Sequence, residues 1–243
     1  YVRHFKKDCW ALPKQVRYVV TDAYYTKTLI TEAILEQGLH QIGKLRHDAN
    51  LRYLYQGPQK AKGRPRQYDG KFKLGETARL SFVAHQEGVD IYTAVVNCVH
   101  LKQAIRLVYV EKKLAQGTKR ALLFSTDTSL DALSLYRYYQ ARFQIEFLFR
   151  DAKQFTGLGD CQARSEQALY NHFNASFTAL NLLKWQDRQM SPQRTPISIA
   201  SWKRRCFNVL FMERIFSNSA FDLSFIKSTP AYHDLCNFGE IKY

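Results

Sequence analysis

Two carboxylates and three phosphate-compatible side chains carry the chemistry in this sequence. Asp22 stands in VTDAYYTK, just past a short apolar run. Glu146 stands in YRYYQARFQIEFLFRDAK, residues 136–153, among Tyr139, Arg142 and Lys153. On one helix, at roughly 100° per residue, Tyr139, Arg142, Glu146 and Lys153 fall within about 60° of one another. Ile145, Leu148 and Phe149 cover much of the remaining surface. A helix apolar on most sides belongs against protein, so its charged stripe is either an ion-pair network or the wall of a polar cavity. Carboxylates brought together repel and raise each other's pKa unless a cation sits between them. Mg²⁺ is the natural occupant, because it takes hard oxygen ligands and keeps positions open for phosphate. Two such ions about 3.5–4 Å apart activate a water or 3′ hydroxyl and stabilise the leaving oxygen of a phosphodiester. Plainer roles fit the same residues. Asp22 suits the cap of a following helix, and Glu146 suits an i, i+4 pair with Arg142 or Arg150.

Elements must hold these residues. VRYVV (16–20) reads as a buried strand, TLITEAILEQG as a helix ending at Gly38, and HQIGKLR as a second strand. This βαβ pattern predicts a mainly parallel sheet with Asp22 past the carboxyl end of a strand, where open α/β sheets place ligands. From about 80 to 125, ARLSFVAH, VDIYTAVVNCV, AIRLVYVEK and KRALLFSTD predict antiparallel strands, partly an inserted subdomain. TDTSLDALSL opens a long helix, N-capped by Thr128 or Ser129, that runs to about Phe155 and is broken by TGLGD. An apolar helix follows over roughly 165–186, then a connector, SPQRTP, and a further helix in ISIASWKRRCFNVLFMERIFS. The tail after 217 carries no clear pattern. The resulting organisation is 1–48, a partial α/β core; 49–126, a basic loop and β-rich insertion; 127–190, core helices with the charged stripe; and 191–243, a helical C-terminal region.

Composition points to a polyanionic partner. The 243 residues carry a net charge of +15 and a pI near 9.6, and Lys and Arg bind phosphates by displacing condensed counterions. The run QKAKGRPRQYDGKFK, interrupted by Gly and Pro, reads as a mobile phosphate-contacting loop with Arg64 and Arg66 as candidate DNA contacts. No apolar run approaches the ~20 residues of a membrane span and no signal peptide opens the chain. Five scattered cysteines without a C-x-x-C pair suit a reducing cytoplasm and exclude a zinc ribbon.

Tyr139-x₂-Arg142-x₃-Glu146-x₆-Lys153 resembles the Y-R-E-K signature of bacterial DDE transposases of the "insertion sequence four" group. VTDAYYTK resembles the segment around that family's second catalytic Asp, and GRPRQYDGK and FTGLGDCQARSEQALYNHF resemble segments flanking the signature. The similarity spans roughly residues 10–190. It implies an RNase H-like core with a β insertion that cuts and joins double-stranded DNA at transposon ends and in the target. Mg²⁺ would be the cofactor, with Mn²⁺ able to substitute. Asp22 and Glu146 would be the second and third catalytic, metal-binding carboxylates. Tyr139, Arg142 and Lys153 would grip the backbone near the cut end. A homodimer in a synaptic complex, on the bacterial nucleoid in the cytoplasm, is implied in the same way.

Two departures qualify the resemblance. A first catalytic Asp on an upstream strand has no counterpart. Asp8, in KKDCW, is the sole acid before Asp22 and equally fits a surface position. With Tyr1 in place of Met, the expectation is an N-terminally truncated core, inactive alone. The base-stacking Trp of hairpin-forming relatives is also absent from the insertion, since the tryptophans are Trp10, Trp185 and Trp202. Phe82, Tyr92 or Tyr109 could stack a base or belong to the sheet core. Trp202 with Lys203–Arg205 reads as a DNA-contacting face or a solvated patch. The competing readings are a non-catalytic DNA-binding remnant of a transposase and an RNA-binding basic protein.

Overall fold

Tight turns decide the strand directions. The computed structural model describes residues 1–190, 198–217 and 223–240, and its contacts divide the chain into two units, Tyr1–Phe143 and Gln144–Tyr243. The connector predicted in SPQRTP lies outside the described residues. Among the described residues, no helix is long and apolar enough to cross a membrane.

The first unit begins with α1 (Val2–Asp8), which is followed by β1 (Tyr18–Val20), α2 (Thr28–Leu35) and β2 (His40–Leu45). Six further strands come next: β3 (Leu51–Leu54), β4 (Tyr68–Lys71), β5 (Ser81–Gln86), β6 (Val89–Cys98), β7 (Gln103–Leu114) and β8 (Gly117–Ser125). They form one eight-stranded sheet in the order β1-β2-β8-β7-β6-β3-β4, with β5 paired to β6. Among the described residues only β1 and β2 run parallel. Every other pair is antiparallel, so the expectation of a mainly parallel sheet is corrected. The segment between β1 and β2, with α2, supplies the crossover that their parallel pairing requires. β5 turns into β6 through Glu87 and Gly88, both at positive φ, and β7 turns into β8 between the paired Leu114 and Gly117. Such two-residue loops force antiparallel partners. The strands expected as an insertion share this sheet, because β8 lies directly on β2.

Alternation along the strands makes two cores. Leu122 and Phe124 of β8, with Leu107 and Tyr109 of β7, face one side. Leu123 and Val108 face the other, where Ala132 and Leu135 of α3 (Ala132–Ala141) pack with Ile42. Each fully buried aliphatic side chain contributes about 1.5–3 kcal/mol. α3 is capped by Asp131, whose carboxylate accepts from the backbone N–H of Ser134 at 2.9 Å. That corrects the expected cap, Thr128 or Ser129.

The long helix is two. α3 stops at Ala141 and α4 (Gln144–Phe155) starts after a two-residue break. The N–H groups of Arg142 and Phe143 bond to the carbonyls of Tyr139 and Gln140, three residues back, the tightened geometry of a helix end. No Gly or Pro marks the break in the sequence, and the stripe from Tyr139 to Lys153 does not run along one helix.

The second unit is helical: α4, α5 (Glu166–Met190), α6 (Ile199–Phe216), α7 (Leu223–Lys227) and α8 (Pro230–Cys236). α4 ends where TGLGD predicts. Gly157 takes φ +67°, a left-handed position that favours glycine at a helix end, and the N–H of Leu158 reaches back to the carbonyl of Ala152. Ala152, Leu158, Leu180 and Ile199 form the core here. α4 buries only Ala152, while Ile145, Phe147 and Phe149 are exposed. The expected wholly covered apolar helix is therefore not found.

Candidate active site

β1 and β2 end side by side and open a cleft of about 550 Å³ at their carboxyl ends. Asp22, Lys44, Arg46, Asp48, Tyr139 and Arg142 line it. The parallel pair puts Asp22 beside the end of β2, and α3, packed on the sheet by Ala132 and Leu135, delivers its last turn to the same place.

Asp22 is exposed and fills the plainer role as well. Its Oδ1 accepts the N–H of Ala23 at 2.6 Å and caps the short 3₁₀ turn Ala23–Tyr25, while the carboxylate still lines the cleft. The turn is anchored from below. Gln41, fully buried on β2, donates through Nε2 to Thr21 Oγ1 at 2.8 Å and to the Tyr25 carbonyl at 3.1 Å. Its Oε1 accepts from Thr31 Oγ1 of α2 at 2.6 Å. One amide thus ties both flanks of Asp22 to the helix behind them. Sequence reasoning missed Gln41, because β2 also carries polar His40 and Lys44 and nothing in the residue types marks the amide as the buried one.

Tyr139 is half-buried, and burial raises its phenol pKa above the ordinary value. The opposing Arg142 guanidinium, which also hydrogen-bonds the phenol, lowers it, and the Asp22 carboxylate adds to the rise. Arg46 holds Asp48 through two bonds, Nε to Oδ1 at 3.1 Å and Nη2 to Oδ2 at 3.3 Å. Both side chains are more than two-thirds exposed, so the pair is weak and yields readily to phosphate. Lys44, Arg46 and Arg142 outnumber Asp22 and Asp48, leaving the cleft net positive. Lys44 and Arg46 were legible only as members of a basic stretch.

Glu146 and Lys153 belong to the second unit, on α4. Both are exposed and they stand two turns apart on one face. Glu146 occupies the first turn and Lys153 the last, where the helix dipole favours an acid and a base respectively. Arg150 pairs with Asp151 at 3.2 Å and stacks on Phe147, 4.9 Å from its centroid.

The two arginines of the basic loop differ. Arg66 donates to Asp69 Oδ1 at 2.6 Å and to the Tyr68 carbonyl at 3.1 Å, and lies over the Tyr55 ring at 4.6 Å. Arg64 is exposed. Asp8 ends α1 as an exposed residue. Tyr109 is core at 0% exposure, whereas Phe82 is 59% exposed and meets Tyr92 edge to face at 5.5 Å. Arg204 bonds to the Gly239 carbonyl and Lys203 lies over Phe155, so the basic run after Trp202 is partly engaged within its own unit.

A second sequence-distant carboxylate went unforeseen. Asp127, after β8, accepts from Tyr18 at 2.8 Å and from Ser129 at 2.6 Å. Partial burial opposes its charge. The bonds from Ser129 and Tyr18, with His40 nearby, prevail and hold its pKa at about 2. It stands by the start of β2, at the opposite strand ends from Asp22.

Among the described residues no three His, Cys, Asp or Glu gather into an ion cage. Asp22 supplies the carboxylate oxygens that a hard divalent cation prefers. A family model described as Transposase DDE domain matches residues 2–182. No curated protein matches the chain.

Proposed function

The chain belongs to the transposase DDE domain family, and on that footing we propose that it cuts and joins double-stranded DNA at transposon ends. In this reading the core is RNase H-like and of the "insertion sequence four" group, and Asp22 and Glu146 are the metal-binding carboxylates. Mg²⁺, or Mn²⁺ in its place, would supply activation of the attacking hydroxyl and stabilisation of the leaving oxygen. Arg142 presents a planar fork to the phosphate beside the cut, with Tyr139 orienting the guanidinium from its half-buried position. Lys44 and Arg46 draw the duplex backbone into the cleft, and Lys153 adds a point charge. Two copies would bring two ends together on the bacterial nucleoid.

One observation carries the proposal. Asp22 and, more than a hundred residues later, Tyr139 and Arg142 line a single net-positive cleft at the carboxyl ends of a parallel strand pair, where α/β sheets place their ligands. The test is nicking and strand transfer on transposon-end duplexes by the complete gene product. Asp22→Ala and Glu146→Ala should each abolish Mg²⁺-dependent cleavage while duplex binding persists. Unchanged cleavage in either variant would remove that residue from the reaction. Persistent binding with no cleavage by the unaltered protein would favour a non-catalytic DNA-binding protein.

A further inference from the structure

The loop between β3 and β4 is clamped at its neck and bare at its tip. Tyr55 N–H donates to the Gln67 carbonyl at 2.9 Å. The Gln59 amide bonds the Arg66 backbone in both directions, Nε2 to O and N to Oε1, each at 2.8 Å. Arg66 itself is held by Asp69 and the Tyr55 ring. Between these clamps Lys60-Ala61-Lys62-Gly63-Arg64-Pro65 protrudes, every residue exposed. Lys60, Lys62 and Arg64 form no ion pair among the described residues, whereas Arg66 and Arg79 share Asp69. The acid of the hairpin is thus spent on its base, and three unneutralised cations stand on a preorganised tip.

The residues between those cations are small. Ala61 and Gly63 add almost no bulk, and Gly63, at φ +103° with open space around it, lets the backbone approach a surface closely. Pro65 presents no N–H and holds Arg64 extended. A slender basic segment of this kind fits a narrow groove better than a wide one. The minor groove of A·T-rich DNA is narrow and strongly negative, which attracts inserted arginine, and G·C pairs obstruct its floor with the guanine N2 amino group. We propose that the tip Lys60–Pro65 enters the minor groove of A·T-rich duplex, with Arg64 reaching the floor and Lys60 and Lys62 on flanking phosphates. This rests on the reading of the chain as a DNA-processing protein and assigns to this hairpin a preference for base composition.

The test measures binding of the 243-residue chain to three duplexes of equal length, with central A·T, G·C or inosine·C tracts, at several salt concentrations. Inosine·C offers the minor groove of A·T and the major groove of G·C. A·T and inosine·C should bind alike, each roughly tenfold tighter than G·C. Arg64→Ala, at an exposed position that no core depends on, should erase that difference. Lys60→Ala and Lys62→Ala should weaken all three equally and lower the salt slope by about 0.9 each. Inosine·C behaving like G·C, or a preference that survives Arg64→Ala, overturns the proposal. Equal, tight binding to all three duplexes overturns this assignment alone, whereas no duplex binding overturns the DNA-processing reading with it.

Discussion

Arg142 hydrogen-bonds the phenol of Tyr139 one turn back on α3, and both side chains line the cleft that holds Asp22. There burial raises the phenol's pKa and the guanidinium lowers it, so the two groups act on one another directly. Arg142→Ala should therefore weaken duplex binding uniformly across sequences and reduce the salt slope by about 1. Tyr139→Phe removes the orienting oxygen and leaves the charge, so the slope should hold while cleavage falls. Salt-titrated anisotropy with a parallel cleavage assay checks both. A slope that falls in the Phe variant would contradict the assigned division of labour.

Gln41 makes a prediction about stability. Its amide is fully buried and bonds Thr21, Tyr25 and Thr31. Gln41→Leu keeps the volume roughly but removes three hydrogen bonds, each worth about 0.5–1.5 kcal/mol, while Thr21, Thr31 and the Tyr25 carbonyl keep their backbone partners at Ile42, Lys27 and the Lys27 N–H. Relaxation and water will recover part of this, so a loss of about 2–4 kcal/mol is expected by urea denaturation. Cleavage should suffer beyond the stability loss, because the turn carrying Asp22 loses its anchor. A fully stable Leu variant with normal activity would show the network to be dispensable.

Local signals account for what could be read in advance. β5 to β8 are rich in β-branched and aromatic residues with glycine at two of their turns, Gly88 and Gly117, and β1, α2 and β2 carry period and cap signals, so their existence and Asp22's place after a strand were legible. Sheet direction was not, because one βαβ unit says nothing of how β8 docks on β2. The break at Arg142 and Phe143 lacks Gly or Pro and left no trace in residue types. β3 and β4 are four residues each and sit in a stretch whose charge dominates its pattern. The difference between Arg64 and Arg66 was equally hidden. It depends on Asp69, Tyr55 and Gln59 meeting across a hairpin.

Asp127 sets a pH dependence. Its pKa of about 2 lies below the ordinary carboxylate value of ~3.9. The depressed folded-state value means its stabilisation is complete above about pH 4 and is lost as pH falls toward 2. The shift corresponds to at most about 2–3 kcal/mol, reduced by solvent screening at its exposed side. Asp127→Asn should be less stable than the parent at neutral pH, and the gap should close on acidification across that window. Comparing denaturation midpoints of the two proteins at each pH cancels the other carboxylates. A gap independent of pH would mean that charge is not what Asp127 contributes.

Gly43 lies in the middle of β2, where glycine ordinarily weakens a strand. Its reason is Phe124, its partner across the β2–β8 pair. A Cβ at position 43 would come within 2.8 Å of Phe124 Cε1 and 3.2 Å of Thr21 Oγ1. Phe124 is fully buried, so the new Cβ pushes β2 away from its ring while also crowding Thr21, the residue before Asp22. Gly43→Ala should cost about 1–3 kcal/mol by overpacking and also loosen the bond from Gln41 to Thr21. Phe124→Leu in the same chain should restore part of the loss by making room, a coupling readable as non-additive denaturation midpoints. Strict additivity of the two substitutions would place the strain elsewhere than at the Phe124 ring.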